Sequence, residues 1–263
     1  MNTPSSIFDQ SIDRWVAEND LPWMQLKTEI GLSNLKKHLP QKPLRILDAG
    51  GGSGADSIPL AREGHCVDLL DYSPEMLKVA KENIEREKLQ EKIRYHAGDV
   101  SQLERTFPQP QFDVVLCHNV LQYVADVPNL LSMLSKVLLP GGILSLISPN
   151  RYSMPYATAF LFKDLDKAFQ QIDARTYQNM MFTTTVTEYS AEEICAMLPD
   201  VGLISDAQYG IRCFVDYWGD NETKSKPEVW EKIKKLEYAL TNKYPYTLLA
   251  RFWQITAHKT LGG

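Results

Sequence analysis

The stretch LRILDAGGGSGADS, which runs from Leu44 to Ser57, decides the fold of this chain. A short apolar segment ends in the acid Asp48, a glycine loop follows, and a helical pattern begins directly after the loop. A strand, a tight glycine turn and a helix in this order are typical of an open α/β sheet that binds a ligand at the turn. No GK[ST] follows the glycines, which excludes a triphosphate-binding P-loop.

Strand and helix patterns alternate from this stretch up to residue 148. Short apolar strands are predicted at LRILDA, CVDLLD, KIRYHA, FDVVLCH and GILSLIS. The segments between them are helical, and the longest, SPEMLKVAKENIEREKL, has Ser73 as its N-cap and Pro74 in its first turn. Apolar strands separated by helices indicate a parallel sheet with helices on both faces. We therefore predict a Rossmann-like, doubly wound α/β fold.

We expect one domain over residues 1–263, because the sequence shows no internal repeat and no low-complexity linker. Its expected divisions are an N-terminal helical segment (1–43), a ligand-binding core (44–148) and two inserted lid segments (149–189 and 216–246). The N-terminal segment is predicted to be helical from Ser11 to Leu39, with a break at Pro22. The lid segments interrupt the alternation and are interpreted as facing the substrate.

Composition argues against several classes of protein. The net charge is −5, so no overall basic field attracts nucleic acid. The first residues lack the features of a secretory signal, and no apolar run approaches the roughly 18 residues of a membrane span. The four cysteines are scattered without a CxxC pair, so neither a metal site nor a disulfide framework is expected. The cytoplasm is the expected compartment, with no membrane partner.

The glycine loop is ambiguous when it is taken alone. Gly50, Gly52 and Gly54 form GxGxG, but Gly50, Gly52 and Ala55 also satisfy the GxGxxG/A dinucleotide fingerprint. Asp48 favours a different ligand, because its carboxylate would repel a pyrophosphate and attract an ammonium group. The methionine end of S-adenosylmethionine (SAM) carries such an ammonium. An NAD-dependent dehydrogenase remains the alternative.

Polar residues also follow the other predicted strands. Asp71 ends the second strand and can accept hydrogen bonds from ribose hydroxyls, in an NAD enzyme as well as in a SAM enzyme. Asp99 follows the third strand and either accepts from an adenine amino group or caps its own loop. His118 ends the fourth strand, where it contacts the ligand, acts as a base or packs as a strand-end histidine. The carboxyl ends of parallel strands share one crevice, so we expect these residues to meet there.

The motifs LDAGGGSG, DYSPEML, GDV, FDVVLCHNVLQYV and LLPGG, in this order and spacing, resemble class I SAM-dependent methyltransferases. The resemblance implies a seven-stranded sheet whose last strand, RFWQITAHK here, is antiparallel. It also implies SAM as the cofactor, S-adenosylhomocysteine as the product, and no metal. A SAM-binding protein without catalytic activity is the remaining alternative of a different class.

A closer resemblance extends beyond the core. LRILDAGGG, REGH, GIRCFVDYW and YPYTLLARFWQITA resemble the bacterial tRNA methyltransferases that esterify carboxymethoxyuridine at the wobble position. In that family a basic residue of the N-terminal helix reaches the cofactor, and MQLK places Lys27 there. The predicted cofactor-binding residues are Lys27, Asp48, Gly50, Gly51, Gly52, Gly54, Asp71, Tyr72, Asp99, Val100 and His118.

The acceptor group is predicted from two arginines in apolar surroundings, Arg212 in GIRCF and Arg251 in ARFWQ. A buried arginine needs a partner, which is either an acid of the fold such as Asp216 or an anionic group of the substrate. A carboxylate acceptor is already ionised at pH 7 and needs orientation rather than a base. Arg212 and Arg251, with Tyr217 and Asn150 as donors, are the predicted substrate-orienting residues. The acceptor is carboxymethoxyuridine in tRNA or, as the second hypothesis, a small acidic metabolite.

Overall fold

The computed structural model describes residues 21–179 and 184–261. Seven strands form one mixed sheet in the order β3-β2-β1-β4-β5-β9-β8, and β6 and β7 form a separate hairpin. The strands are β1 (Arg45–Ala49), β2 (Cys66–Asp71), β3 (Ile93–Ala97), β4 (Phe112–His118), β5 (Leu138–Pro149), β6 (Thr176–Asn179), β7 (Thr184–Thr187), β8 (Leu203–Ile211) and β9 (Phe252–Lys259). Strands β1 to β5 are parallel, whereas β9 is antiparallel to both β5 and β8. The predicted sheet and its antiparallel last strand are confirmed.

Helices cover both faces of this sheet. They are α1 (Pro22–Lys36), α2 (Ser57–Arg62), α3 (Pro74–Arg86), α4 (Leu103–Thr106), α5 (Val127–Val137), α6 (Ser153–Ala157), α7 (Leu165–Gln170), α8 (Ala191–Met197), α9 (Asn221–Lys224) and α10 (Pro227–Leu240). Helices α1, α2 and α3 pack on one face against residues such as Leu69 and Leu116, and α5 and α8 pack on the other against Phe112 and Cys117. Burial on both faces explains the continuous apolar runs of the central strands.

Helix boundaries follow the local signals. Helix α3 starts as predicted, because the Ser73 side chain accepts a hydrogen bond from the Met76 amide at 3.2 Å and Pro74 occupies the first turn. Helix α1 begins at the predicted break, Pro22. The rest of that prediction, from Ser11 to residue 20, lies outside the described residues.

The two arginines lie beside strands rather than within them. Strand β8 ends at Ile211, because Arg212 adopts the left-handed region with φ +60° and turns the chain out of the sheet. Strand β9 begins at Phe252, one residue after Arg251. Both arginines therefore sit at the edge where β5 and β8 end and β9 begins.

The first lid segment contains more structure than its sequence pattern indicates. Helix α6 continues into a π-helical turn (Thr158–Phe162), α7 follows, and β6 and β7 pair as an antiparallel hairpin. The second lid segment consists of α9 and α10 after a 3₁₀ turn (Val215–Tyr217).

Glu237 of α10 anchors the chain that leaves β8. Its carboxylate is fully buried and accepts three backbone hydrogen bonds, from the amides of Cys213, Phe214 and Val215 at 2.7–2.9 Å. The second lid segment is thereby fastened to the end of β8, next to Arg212. Across the described ranges, no helix is both long and apolar enough to cross a membrane.

Candidate cofactor and acceptor site

The glycine loop after β1 uses conformations that favour glycine. Gly50, Gly52 and Gly54 have φ values of +81°, +53° and +83°, where any side chain would be strained. The loop is fixed because the amides of Gly50 and Gly51 both donate to the Leu70 carbonyl, at 2.7 and 3.1 Å. A Cβ on Gly52 would meet no atom within 4 Å, so this residue presents its backbone to open space. The loop therefore forms a cradle that a ligand can approach closely.

Asp48 lies directly beneath the cradle. Its side chain is buried, it accepts a hydrogen bond from the Ser57 hydroxyl at 2.6 Å, and a Cβ on Gly51 would lie 2.7 Å from its Oδ2. Burial, followed by the nearby charge of Asp56, raises the pKa of Asp48 to about 7. Because burial and Asp56 disfavour its negative charge, a cationic ligand would strongly stabilise the ionised form of Asp48.

The other predicted acids stand at the neighbouring strand ends. Asp71 is buried at the end of β2, where its two oxygens accept hydrogen bonds from the amides of Gly52 and Ser73, each at 2.9 Å. Asp99 is exposed after β3 and accepts from the Ser101 amide at 2.7 Å, which caps a short 3₁₀ turn. Both positions are compatible with a nucleoside above the loop.

His118 is held from both sides within the protein. Its Nδ1 lies 3.0 Å from Asp56 Oδ2 and its Nε2 lies 2.9 Å from Ser145 Oγ. The Gln254 amide also donates to Ser145 Oγ, at 3.1 Å. Of the three roles foreseen for His118, the packed strand-end histidine fits this arrangement best, and its cofactor role stays a prediction.

The loop after His118 carries an orphaned acceptor. Asn119 has φ +58°, and its amide donates to the Ile147 carbonyl at 2.7 Å. Its Oδ1 is buried and has no hydrogen-bond partner among the described residues. A buried acceptor of this kind calls for a donor from outside the fold.

Three cations surround the ring of Phe252 at the start of β9. Lys27 Nζ lies 5.8 Å from the ring centroid, and the guanidinium carbons of Arg212 and Arg251 each lie 5.4 Å from it. Burial, with Arg212 as a further cause, lowers the pKa of Lys27, while the charges of Asp56 and Asp48 oppose the shift. Lys27 therefore connects the acids of the glycine loop with the arginine edge.

The two arginines differ in their partners. Arg212 is buried and pairs with Asp216 through two hydrogen bonds, one of them from Nε at 2.7 Å. Arg251 is a quarter exposed, donates to Ser153 Oγ at 2.9 Å and has Glu188 Oε1 at 3.8 Å. Arg212 thus has the internal partner foreseen as one of its two alternatives, whereas Arg251 keeps unused donors among the described residues.

The two other predicted orienting residues bind backbone carbonyls. The Tyr217 hydroxyl donates to the Leu249 carbonyl. The Asn150 amide donates to the carbonyls of Leu248 and Ala250 at 2.9 and 3.0 Å. These contacts fix the turn that leads to Arg251, so both residues position the edge, and their contact with substrate stays a prediction.

Several residues of this site escaped sequence reasoning. Asp56 follows the glycines by two positions and could have been suspected as an acid at a helix start. Glu188 is buried, one of its oxygens is unpartnered, and burial raises its pKa despite Arg251. No periodicity around residue 188 signals this, because its charged neighbour Arg251 is far away in the sequence.

The residues at the strand ends fit SAM. The open space above the glycine cradle can hold a nucleoside, and the carboxylate of Asp48 can bind an ammonium group. The unpartnered Asn119 oxygen can accept a hydrogen bond from a bound ligand. The strand order, the antiparallel β9 and this cradle define a class I, SAM-dependent methyltransferase.

Comparison with known proteins agrees with this class. The chain belongs to the methyltransferase-domain family, whose match spans residues 40–236. The tRNA 5-carboxymethoxyuridine methyltransferase of Escherichia coli (strain K12) is 30% identical over 222 residues, which cover 84% of this chain and 81% of that protein. A ubiquinone biosynthesis O-methyltransferase of Psychrobacter cryohalolentis is 32% identical over 160 residues, 61% of this chain and 58% of that protein.

A solved structure supports the fold over nearly the whole chain. A SAM-dependent methyltransferase from Thermotoga maritima superposes with a TM-score of 0.65 at 16% identity, covering 98% of this chain and 100% of that one. The family excludes the NAD-dependent dehydrogenase considered from the glycine pattern. In the sequence, Asp48 was the residue that favoured a methyltransferase over a dehydrogenase, because the GxGxxG/A pattern alone does not distinguish these classes.

Replacing Gly52 tests the cradle against a matched glycine. We expect Gly52→Ala to weaken SAM binding at least about tenfold, because its methyl group would fill the open space above the loop. Gly64→Ala is the control, since Gly64 also has positive φ and open space at Cβ but lies in the turn before β2. Calorimetric titration with SAM measures both variants, and equal losses of affinity would contradict the assignment.

Proposed function

We propose that this enzyme transfers the methyl group of SAM to a carboxylate, and that the acceptor is carboxymethoxyuridine in tRNA. Arg251 is the observation on which the carboxylate rests. The 30% identical relative from Escherichia coli, named for 5-carboxymethoxyuridine in tRNA, supports the particular acceptor. We further propose that the reaction takes place in the cytoplasm and that residues 1–263 act as one domain.

The geometry around Arg251 favours an anionic acceptor. A guanidinium has five N–H donors, and among the described residues Arg251 uses one of them, toward Ser153. Its neighbour Glu188 stands 3.8 Å away, beyond hydrogen-bonding distance. Two parallel N–H groups that remain available can bind a carboxylate in bidentate fashion, which fixes both its position and its plane.

The residues of the chain do most of their work by positioning. When bound, SAM supplies a methyl group made electrophilic by the adjacent sulfonium. Asp48 and the glycine cradle hold the ammonium end and the nucleoside, and Lys27 neutralises charge between cradle and acceptor. Arg251 aligns the carboxylate oxygen for in-line attack. A carboxylate needs no deprotonation at pH 7, so both nitrogens of His118 can stay in their hydrogen bonds.

A phenolic metabolite is the second candidate acceptor, and Glu188 is the observation that favours it. Its Oε2 is buried without a partner among the described residues, and burial raises its pKa, as a general base for a phenol requires. The O-methyltransferase relative from Psychrobacter, named for ubiquinone biosynthesis, is compatible with such an acceptor. Glu188→Gln would abolish transfer to a phenol and leave transfer to a carboxylate within a few-fold.

Nucleoside mass analysis tests the proposed reaction. Protein and SAM are incubated with tRNA that carries unesterified carboxymethoxyuridine, and we expect this nucleoside to gain one methyl group. Arg251→Met should lower kcat/KM about a hundredfold through the lost ion pair, with SAM affinity unchanged. Arg175→Met is the control, because Arg175 lies in the first lid segment, is half exposed and pairs with Glu193. No methyl gain in the presence of bound SAM would refute the acceptor.

A further inference from the structure

Two aromatic rings of the first lid segment stack on each other while they face solvent. Tyr156 and Phe160 have ring centroids 6.1 Å apart and an interplanar angle of 26°. Their exposed fractions are 44% and 61%, large values for aromatic residues with an established ring partner. The pair spans the junction of α6 with the π-helical turn, an irregularity that is frequent at functional sites.

The pair is connected to Arg251 through Ser153 and Tyr217. Ser153 and Tyr156 are three residues apart on α6, so their side chains share one face, and Ser153 Oγ accepts the hydrogen bond from Arg251. The ring centroids of Tyr156 and Tyr217 lie 6.3 Å apart, with an interplanar angle of 65° that is typical of an edge-to-face contact. Tyr217 is itself fixed to the Leu249 carbonyl, two residues before Arg251. One end of the stack is thus anchored, and the other end is open.

We propose that Tyr156 and Phe160 form the platform on which the planar ring of the acceptor stacks while Arg251 binds the carboxylate of the same molecule. The inference rests on the proposed function and specifies the acceptor further, as a planar ring that bears a carboxylate. A modified uracil in tRNA and a free aromatic acid share this chemistry. Aromatic faces stack on any nucleobase, and the guanidinium supplies the complementary charge.

Other apolar residues of this lid segment lack that charge complement. Phe162 and Phe169 are more exposed than the pair, at 73% and 77%, but no ring or arginine contact involves them among the described residues. A purely apolar partner would use these side chains as much as the pair. A stacked acceptor ring requires only Tyr156 and Phe160. Mutations of the pair and of Phe162 or Phe169 therefore distinguish a stacked ring from an apolar partner.

Steady-state kinetics on two acceptors tests the platform. The acceptors are the free nucleoside 5-carboxymethoxyuridine and an anticodon stem-loop that carries it. We expect Tyr156→Leu and Phe160→Leu each to raise KM about tenfold for both acceptors, with kcat and SAM affinity little changed. Tyr156→Phe keeps the ring and should restore the wild-type KM. Phe169→Leu is the control for loss of exposed apolar surface.

The outcomes separate the platform from the proposed function. If the wild type methylates both acceptors but the leucine variants keep its KM, or change it for the stem-loop alone, the platform is refuted and the proposed function stands. If the wild type methylates neither, the proposed function is refuted, and binding of 4-hydroxybenzoate is measured by calorimetry. Binding that Tyr156→Leu weakens tenfold would then support the platform for a free aromatic acid, and binding that it leaves unchanged, or none, would refute it.

Discussion

Asp48→Asn is expected to stabilise the protein and to abolish cofactor binding. The substitution keeps the shape of the side chain and an oxygen that accepts from Ser57. It removes a buried charge whose pKa is raised to about 7, which corresponds to roughly 2–4 kcal/mol of unfolding free energy near neutral pH. Because we propose that the same charge is the counterion of the SAM ammonium, affinity for SAM should fall at least about a hundredfold.

The stabilisation by Asp48→Asn should depend on pH in a defined direction. The folded protein holds the Asp48 proton up to about pH 7, whereas the unfolded chain releases it near the ordinary value of 3.8. The stability of the wild type therefore falls between these pH values, and the difference from the variant grows from near zero at pH 4 to its maximum above pH 7. Urea titrations at several pH values measure it.

Asp68→Asn is a control for which we expect the opposite change in unfolding free energy. Asp68 is also buried, but it is compensated by Arg45 at 3.3 Å and His96 at 2.8 Å. Its replacement should lower the unfolding free energy and leave SAM affinity unchanged. If Asp48→Asn destabilises the protein as Asp68→Asn does, or binds SAM normally, the role given to Asp48 is incorrect.

Glu237→Leu is expected to destabilise the protein by about 4 kcal/mol, because it leaves three buried or half-buried amide groups without their acceptor. Since these amides belong to the chain that leaves β8, we also expect a higher KM for the acceptor. Denaturant titration of each variant at the same SAM concentration measures the loss in unfolding free energy.

Two further variants isolate the role of Glu237. Glu237→Gln keeps one acceptor oxygen and should lose about half as much stability. Glu231→Leu lies on the same helix, where Glu231 is exposed and pairs with Lys234 at 2.6 Å, and should change stability by less than about 0.5 kcal/mol. Equal losses in Glu237→Leu and Glu231→Leu would show that the buried carboxylate does not anchor the second lid segment.

The core of the fold was predictable because local and long-range signals agree there. The central strands are apolar on both faces, the caps such as Ser73 are local, and positive φ at Gly50, Gly52 and Gly54 accounts for three of the motif glycines. The first lid segment lacks any such agreement. Its hairpin pairs Thr176 with Thr187, and no turn signature or alternation in the sequence marks this pairing.

The sequence indicated where the candidate site residues lie in the fold, but not which groups they pair with. Strand ends place Asp48, Asp71 and His118 in one crevice, as the order of motifs indicated. Many of the ion pairs and hydrogen bonds of these side chains join residues that are far apart in the sequence. Arg212 and Asp216 are only four positions apart, so their pairing could be foreseen, whereas Arg251 meets Glu188 across 63 positions and through tertiary packing alone.

The contacts of His118 use both of its ring nitrogens. Asp56 Oδ2 lies 3.0 Å from Nδ1 and Ser145 Oγ lies 2.9 Å from Nε2, and the Gln254 amide donates to the same serine oxygen. Asp56 and Ser145 thus engage the two ring nitrogens from opposite sides of the imidazole. A substrate that exchanged a proton with this ring would have to displace one of the two partners, whereas an acceptor that is already ionised requires no such exchange.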